Sequence, residues 1–362
     1  MCENVELARL TTLELGGAAR AVATATAEGE VREALRWAAS KRLAIAVLGG
    51  GSNVVVADAG FPGLVLRMAS RGIEVVAGGH GDGRATVTAA AGESWDDLVA
   101  LAVSAGLGGI ECLSGIPGTV GATPIQNVGA YGQEVADTIV SVRVLDRTTL
   151  EVVELASAEC GFGYRSSVFR RQPGCFIVLA VTFRLVPDAP GTVRYPDLAR
   201  ALGGAAAAPS VSAVRNTVLE LRRGKSMVLD PADENRRSVG SFFVNPVLAT
   251  AQADDVAQRA LAAGAIADLG DMPRHPAGAA AEKLSAAWLV ERAGFPKGTR
   301  SGAVGISSRH SLALVHHGGG TSAELVALAR EIRAAVYTRF GVLLQPEPVF
   351  LGFPTPDPIA AG

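Results

Sequence analysis

The chain has 362 residues, of which 49% are hydrophobic and 19% are charged, enough for two or three domains with buried cores. Its 33 Lys and Arg nearly balance its 35 Asp and Glu, which excludes a global electrostatic attraction to nucleic acid or to an acidic membrane. Aromatic residues make up only 5%, which disfavours a surface on which nucleic-acid bases stack.

The cysteines and the N-terminal residues indicate a compartment. The four cysteines form no Cys-x-x-Cys pair and have no His at metal-ligand spacing; they are Cys2, Cys112, Cys160 and Cys175. We expect unpaired thiols in a reducing compartment and no metal site. Residues 1–10 carry no apolar signal segment, and no apolar run approaches the ~18 residues of a membrane span. The sequence therefore predicts a cytoplasmic globular protein.

The first predicted elements lie between Ala27 and Met68. Apolar residues recur at helical spacing and predict a helix, namely Val31, Leu35, Ala38 and Ala39. Three strands are predicted to follow, at 43–48, 54–56 and 64–66. Phe61-Pro62-Gly63 is predicted to be a turn before the last of them.

A second group of elements begins near Gly72. Ala85–Ala90 is predicted to be a strand, and Ser94 is predicted to cap a helix that ends at Gly106. Residues 113–133 then contain five glycines and two prolines, which exclude an ordinary helix or central strand. A loop of this length in a compact domain is usually functional. Strands are predicted afterwards at 139–145 and 176–185.

The last third is predicted to hold two clear helices. One covers Ser212–Arg223, after an Ala/Gly-rich surface connection at 201–209. Residues 229–237 are charged and rich in turn formers, which indicates a domain boundary. The final helix is predicted to begin with Ser322 as its cap and to end at Gly341.

Two glycine-rich loops indicate a binding site. Gly49–Asn53 lies between two predicted strands, and consecutive glycines allow backbone N–H groups to form a concave anion site. The loop is neither a P-loop, since no G-K-[ST] follows, nor a Rossmann fingerprint, since it opens no helix. A plain glycine-rich hairpin stays open as an alternative. Residues 115–121 offer a second set of amides, and the two loops together favour a large cofactor such as a dinucleotide.

Five segments occur in order along the chain: GGGSN, IPGTVGATPIQNVGAYG, FGYRSSVF, VGSFFVNP and LQPEPVFLG. Together they resemble the UDP-N-acetylenolpyruvoylglucosamine reductase family, flavoenzymes that make UDP-N-acetylmuramate for peptidoglycan. The resemblance extends from about Leu10 to Gly352. The first two segments alone would indicate only the broader family of FAD-binding domains that many oxidases share.

The resemblance implies an α+β fold. It consists of a two-subdomain FAD-binding fold of the vanillyl-alcohol-oxidase/PCMH type and a C-terminal α+β substrate-binding domain. The implied divisions are a first FAD-binding subdomain at 1–70, a second one with a Tyr-bearing loop at 71–228, and a substrate-binding domain at 229–342. Residues 343–352 would return as a strand to the FAD side, and 353–362 would form a frayed tail.

The resemblance also implies the reaction. FAD is bound non-covalently, NADPH is the hydride donor, and UDP-N-acetylglucosamine enolpyruvate is the substrate. Hydride passes from NADPH to FAD and then from flavin N5 to the enolpyruvyl group, leaving an enolate that must be protonated on the neighbouring carbon. Ser241 matches the family's proton donor. Arg165 matches an arginine that stabilises carboxylate and enolate charge, and Glu347 an acid that acts with it.

The remaining site residues also follow from the resemblance. Those that match FAD contacts are Gly49, Gly50, Gly51, Ser52, Asn53, Ser114, Ile116, Pro117, Gly118, Thr119, Gly121, Ala122, Gln126, Asn127 and Gly129. Those that match substrate contacts are Tyr131, Tyr195, Arg222, Lys225, Asn245 and Lys283. Tyr195 assigns the chain to the branch in which a Tyr loop closes over UDP, and Lys225 is aimed at the diphosphate. We expect a monomer with no nucleic-acid or membrane partner.

Two positions depart from the pattern of some relatives. Val244 stands where some carry Lys, so Lys225 or Arg222 would have to balance the charge of the nicotinamide or the substrate. Gln345 replaces an acid, which leaves Glu347 as the candidate acid of its motif. The pair His316-His317 is predicted to lie in a loop, and no role is assigned to His310.

Two other functions stay open at this point. An oxidase with the same FAD-binding fold would consume oxygen with an alcohol or a sugar. A non-catalytic flavin-binding sensor or scaffold would bind FAD but would not be reduced by NADPH. The joint presence of Ser241, Arg165 and Glu347 in their motifs argues against both.

Overall fold

The computed structural model describes residues 1–78, 83–204 and 208–360, and this part of the chain forms 21 strands and eight α-helices. The strands are β1 (Cys2–Glu6), β2 (Ala18–Ala25), β3 (Ile45–Leu48), β4 (Val54–Val56), β5 (Phe61–Met68), β6 (Ile73–Ala77), β7 (Ala85–Ala90), β8 (Leu107–Gly108), β9 (Gly129–Ala130), β10 (Gln133–Glu134), β11 (Ile139–Asp146), β12 (Val152–Ala156), β13 (Phe176–Pro187), β14 (Ser238–Ser241), β15 (Val247–Ala249), β16 (Arg274–Pro276), β17 (Ala281–Leu284), β18 (Arg300–Ser301), β19 (Val304–Ile306), β20 (Ala313–His316) and β21 (Val349–Leu351). The helices are α1 (Glu28–Ser40), α2 (Trp95–Ser104), α3 (Val168–Arg171), α4 (Pro196–Ala201), α5 (Val211–Gly224), α6 (Thr250–Ala262), α7 (Ala286–Arg292) and α8 (Ser322–Phe340). This mixture confirms the predicted α+β class.

The first of two compact units comprises Met1–Val5, Ala19–Gly51 and Pro62–Leu229. It contains a four-stranded sheet in the order β1-β2-β5-β3 and a six-stranded sheet in the order β12-β11-β13-β7-β6, in which β8 also pairs with β13. Strand β13 pairs antiparallel with both β11 and β7. The fully buried rings of Trp95 and Phe183 lie 5.8 Å apart in its core.

Most predicted elements of the first unit are confirmed. Strand β7 has the predicted ends, and Ser94 accepts a hydrogen bond from the amide of Asp97 at the start of α2. The predicted turn at Phe61–Gly63 is wrong, because these residues begin β5. Pro62 is tolerated there since the pairing with β3 starts only at Leu64. The predicted connection at 201–209 lies partly outside the described residues, at 205–207.

The second unit comprises Glu6–Ala18, Ser52–Phe61 and the chain from Asp230 onward. Its sheets have the orders β14-β20-β19-β18 and β15-β17-β16, and β21 pairs parallel with β4. Helices α6, α7 and α8 contribute to one buried core, in which Phe242, Phe243 and Phe340 are fully or almost fully enclosed. The predicted three-domain division stays a prediction.

Three local predictions for the second unit are corrected. Thr321, not Ser322, caps α8, because its hydroxyl accepts from the amide of Glu324, while buried Ser322 donates its hydroxyl to the carbonyl of Val56. His316 lies at the buried end of β20 instead of in a loop. The tail does not fray through residue 360, because Asp357 pairs with Arg333 at 2.7 Å and Ile359 is 1% exposed.

Two general features complete the description. In the described ranges, no helix combines the length and the apolar character needed to cross a bilayer. All four cysteines are unpaired: Cys112 and Cys160 are buried, and Cys2 and Cys175 are exposed.

Candidate active site

The two glycine-rich loops pack against each other in the first unit. A Cβ atom on Gly50 would lie 2.9 Å from the Cα of Gly118, and one on Gly49 would collide with the hydroxyl of Thr119. Real Cβ atoms are not found at such distances, so Gly50 requires glycine because its neighbour is main chain, whereas a Cβ at Gly49 would require the Thr119 hydroxyl to move. The loops therefore present their main chains side by side.

The main chain of these loops offers unused donors. Six backbone amides of the two loops donate to no acceptor among the described residues. They belong to Gly49, Gly50, Gly51, Ile116, Gly118 and Thr119. By contrast, the amide of Gly121 donates to Ala91 at 2.9 Å and that of Ala122 donates to Thr119 at 3.0 Å. Clustered N–H groups with no protein partner form a site for an anion such as a pyrophosphate. A flavin adenine dinucleotide carries that group, so the residues present fit it.

Two other residues of the long loop use their side chains for hydrogen bonds within the protein. Ser114 is fully buried and donates its hydroxyl to the carbonyl of Glu111 at 2.6 Å. The side-chain amide of Asn127 donates to the carboxylate of Glu134 at 2.6 Å and to the carbonyl of Gly163 at 3.1 Å. These two side chains thus hold the loop, and the predicted FAD contacts of the two residues stay predictions.

Arg165 lies against the Gly-Ala-Tyr-Gly turn. Its guanidinium donates to the carbonyl of Gly129 at 2.7 Å and to that of Asn127 at 3.3 Å. Three residues here have left-handed backbone, with φ near +48° at Asn127, Tyr131 and Arg165 (47°, 49° and 49°), a conformation uncommon outside glycine. The three residues together indicate that the backbone of this segment is strained, and strained backbone is often found at functional sites.

The predicted substrate residues of the first unit fall into two groups. Tyr131 and Tyr195 meet edge to face with ring centroids 5.9 Å apart, and burial raises the pKa of Tyr131. Arg222 is buried, which lowers its pKa to about 10, and it donates to the carbonyls of Met227 at 2.6 Å and Gly115 at 3.3 Å. Arg222 thus stabilises the second glycine-rich loop through the carbonyl of Gly115, whereas half-buried Lys225 directly follows the end of α5.

In the second unit, Ser241 ends strand β14 directly after Gly240, whose φ of +75° favours glycine. The Ser241 hydroxyl lies 3.2 Å from Nε2 of His310. The hydroxyl of buried Ser307 accepts the amide of His310 at 3.3 Å and fixes the loop that carries it. Sequence reasoning missed His310, because it is 69 positions from Ser241 and no local motif includes it.

The Glu347 segment adjoins the Ser241 strand within the second unit. The amide of Glu347 donates to the carbonyl of Phe242 at 2.9 Å, and the amide of Val244 donates to Gln345 at 3.0 Å. On its other side, Asn53 donates to the carbonyl of Glu347 at 3.4 Å. These hydrogen bonds, of which that of Asn53 comes from its side chain, bring Ser241, Asn53 and Glu347 into neighbouring segments. The two positions that depart from the family pattern are hydrogen-bonded to each other.

Two predicted substrate residues lie beside the small sheet. The Asn245 side chain accepts the amide of Ala286 at 2.9 Å, at the beginning of α7. Lys283 lies on β17 opposite Val247, two residues beyond Asn245. Arg165 belongs to the first unit, and its grouping with Ser241 and Glu347 in one site stays a prediction.

Comparison with known proteins identifies the class and then the family. Residues 19–155 match the family model described as an FAD binding domain, and with the amide cluster of the glycine loops this makes the chain a flavoprotein oxidoreductase. Residues 230–351 match the model described as UDP-N-acetylenolpyruvoylglucosamine reductase, C-terminal domain. The UDP-N-acetylenolpyruvoylglucosamine reductase of Salinispora arenicola is 49% identical to this chain, over 95% of this chain and 94% of its own length. The one of Streptomyces coelicolor is 48% identical, over 96% of this chain and 90% of its own length. The chain belongs to this family of peptidoglycan synthesis.

A solved structure agrees with the assignment. The chain is similar to the UDP-N-acetylenolpyruvylglucosamine reductase of Thermus caldophilus, with a TM-score of 0.63 and 26% identity. The match covers 96% of this chain and 97% of that one. The similarity therefore extends over both compact units.

Proposed function

We propose that this protein reduces UDP-N-acetylglucosamine enolpyruvate to UDP-N-acetylmuramate with NADPH as the hydride donor. The observation that carries the proposal is the hydrogen bonding of the Glu347 segment to the segment that follows Ser241, next to His310. A hydroxyl, an imidazole and a carboxylate held on neighbouring segments suit a reaction that ends in a proton transfer to carbon.

FAD would be held non-covalently by the amide cluster of the two glycine loops. When bound, it accepts hydride from NADPH and supplies it to the enolpyruvyl group. Backbone amides suit the pyrophosphate because they need no mobile side chain and remain oriented before the ligand arrives. Ser52 and Asn53, the last two residues of the first glycine-rich loop, would contact the same cofactor.

Ser241 would donate the proton. Addition of hydride to the enolpyruvyl double bond leaves the electron pair delocalised into the carboxylate, and one proton must then reach the neighbouring carbon. A serine hydroxyl is a weak acid, but a carbon-centred base accepts its proton readily when the two are aligned. His310 at 3.2 Å would return a proton to the Ser241 oxygen, so that the site is ready for another turnover.

The other site residues would orient and stabilise the substrate. Arg165 would pair with its carboxylate through two parallel hydrogen bonds, since a guanidinium matches that geometry, and Glu347 would act with Arg165 on the enolate. Lys225 would meet the diphosphate and Tyr195 would stack on the uracil ring. Asn245 and Lys283 stay predicted substrate contacts. The monomeric state and the cytoplasmic location also stay predictions.

An anaerobic flavin titration tests the proposal directly. NADPH should bleach the flavin absorbance of the purified protein, and UDP-N-acetylglucosamine enolpyruvate should then restore the oxidised spectrum. Bleaching without recovery would retain FAD and NADPH but contradict the substrate. A protein that carries no flavin and binds none on addition would contradict the reading of the glycine loops.

A further inference from the structure

Beneath the glycine loop, the first unit contains a charged side chain that the proposed mechanism does not use. Glu111 is completely buried. Its carboxylate accepts three N–H groups: the amide of Gly109 at 2.7 Å, the amide of Thr192 at 2.8 Å and the side-chain amide of Gln133 at 2.9 Å. Burial raises the pKa of Glu111, but these donors outweigh it and hold the pKa below its ordinary value. A buried carboxylate with this many donors remains ionised.

Three bonds of this cluster converge on Thr192. Its amide donates to Glu111, its hydroxyl accepts from Gln133 at 2.9 Å, and its carbonyl accepts from the thiol of Cys112 at 3.3 Å. Gln133 is itself fixed, because its oxygen accepts the amide of Cys112 at 2.8 Å. Three atoms of one residue are thus held by buried groups, which immobilises the chain at this point.

Thr192 stands at the beginning of the segment that carries Tyr195. We name residues 193–204 the Tyr195 segment. Beside Thr192, the amide of Gly191 donates to the carbonyl of Pro209 at 2.7 Å, and Pro190 forms an isolated bridge with Ser210. Residues 190–192 and 209–210 thus form the neck of the Tyr195 segment. Beyond this neck, Leu198 is fully buried against Val214 and Val218 of α5, and the polar bonds of the described residues include one from Arg194 to the carbonyl of Gly132 at 3.2 Å.

Glu111 also touches the glycine-rich loop. Its main-chain oxygen accepts the hydroxyl of Ser114 at 2.6 Å, one residue before Gly115. The residue thus joins the start of that loop by its backbone and the neck of the Tyr195 segment by its carboxylate. One buried charge connects the loop that would hold the cofactor to the segment that would cover the substrate.

We propose that Glu111 is a positioning residue that fixes the near end of the Tyr195 segment, so that Tyr195 reaches the UDP group in a defined orientation. The expected effect on substrate binding rests on the proposed function, whereas the expected fixing of the segment at Thr192 does not. Thr192 would be the fixed end of the segment, because its bonds with Glu111, Gln133 and Cys112 hold all three of its polar atoms.

Glu111→Gln tests the proposal. Glutamine has the same shape but no charge, and its NH₂ group must face at least one of the three N–H donors, so a buried bond is lost. Tryptic cleavage after Arg194 and Arg200, followed by mass spectrometry, should become about ten times faster than in the unmodified protein. Cleavage after Arg36 and Lys41, exposed at α1 of the same unit, should not change and reports global unfolding.

Two further variants keep the test decisive. Thr192→Val removes only the hydroxyl that accepts from Gln133, and should accelerate cleavage after Arg194 by about twofold even if Glu111→Gln does not fold. Asp96→Asn is the matched control. Asp96 is also a carboxylate that accepts a loop amide, that of Gly115 at 2.6 Å, but its side-chain partner is Arg215 and it has no bond to Thr192. Faster cleavage after Arg194 in Asp96→Asn as well would overturn a specific role for Glu111.

The kinetic measurement separates positioning from general damage. Glu111→Gln should raise KM for UDP-N-acetylglucosamine enolpyruvate about tenfold while the rate of flavin bleaching by NADPH changes less than twofold. Unchanged cleavage after Arg194, or faster cleavage with an unchanged KM, would overturn the proposal. If the unmodified protein does not reoxidise its flavin with this substrate, the proposed function fails, and the cleavage ratio still decides whether Glu111 fixes the segment.

Discussion

At the scale of single residues, the contact between Ser241 and His310 makes a prediction about one half-reaction. Ser241→Ala removes the proton donor but no group that the hydride transfer from NADPH needs. Flavin bleaching by NADPH should stay within about twofold, whereas reoxidation by the substrate should slow by about 10² or more, the usual contribution of a positioned acid. Anaerobic stopped-flow absorbance measures both rates on the same sample.

His310→Gln provides the comparison for that prediction. Glutamine can donate a hydrogen bond near the position of Nε2 but cannot carry a proton on and off, so reoxidation alone should slow. The double variant should be no slower than Ser241→Ala, because His310 acts through the serine; additive losses would indicate an independent role for His310. Equal slowing of both half-reactions in Ser241→Ala would contradict the assignment of Ser241 as the donor.

At the scale of elements, the packing of the two glycine loops predicts how FAD binding responds to one methyl group. Gly50→Ala places a Cβ 2.9 Å from the Cα of Gly118 and forces the loops apart, so the Kd for FAD should rise by about tenfold or more. Gly29→Ala is the matched control, since that position lies on α1 with nothing within 4 Å. It should keep its FAD and gain up to about 1 kcal/mol in helix stability. Fluorescence titration of the flavin-free proteins measures both, and an unchanged Kd in Gly50→Ala would contradict the loop assignment.

The same elements show which features the sequence can predict. The spacing of apolar residues and the capping residue predict β7 and α2 correctly, because both signals lie within the elements themselves. The prediction that Ser322 caps α8 is wrong, because Glu324 stands three residues after Thr321, the capping-box spacing that identifies Thr321. Ser241, Arg165 and Glu347 came from family motifs. His310 and Glu111 could not be found, because their partners lie 69 and 81 positions away and only the folded chain brings them together.

At the scale of the whole molecule, two carboxylates predict how stability falls in acid, those of buried Glu111 and half-buried Asp96. The pKa of Asp96, raised by burial, is brought below its ordinary value by the Arg215 guanidinium and the Gly115 amide, and that of Glu111 is lowered in the same way. A group whose folded pKa is depressed stabilises the fold above its unfolded pKa and loses that contribution as pH falls through the folded value. Stability should therefore decline from about pH 4.5 downward as both carboxylates take up protons.

Substitution of one carboxylate should flatten that decline. Asp96→Asn should be less stable than the unmodified protein at pH 7, but its free energy of unfolding should fall less steeply in acid, by up to about 1.4 kcal/mol per pH unit, since one fewer proton is taken up on unfolding. Glu33→Gln, which removes an exposed carboxylate from α1, should leave the slope unchanged. Urea unfolding between pH 3 and pH 7 measures these slopes. Parallel slopes for Asp96→Asn and the unmodified protein would mean that this carboxylate does not control acid unfolding of the molecule.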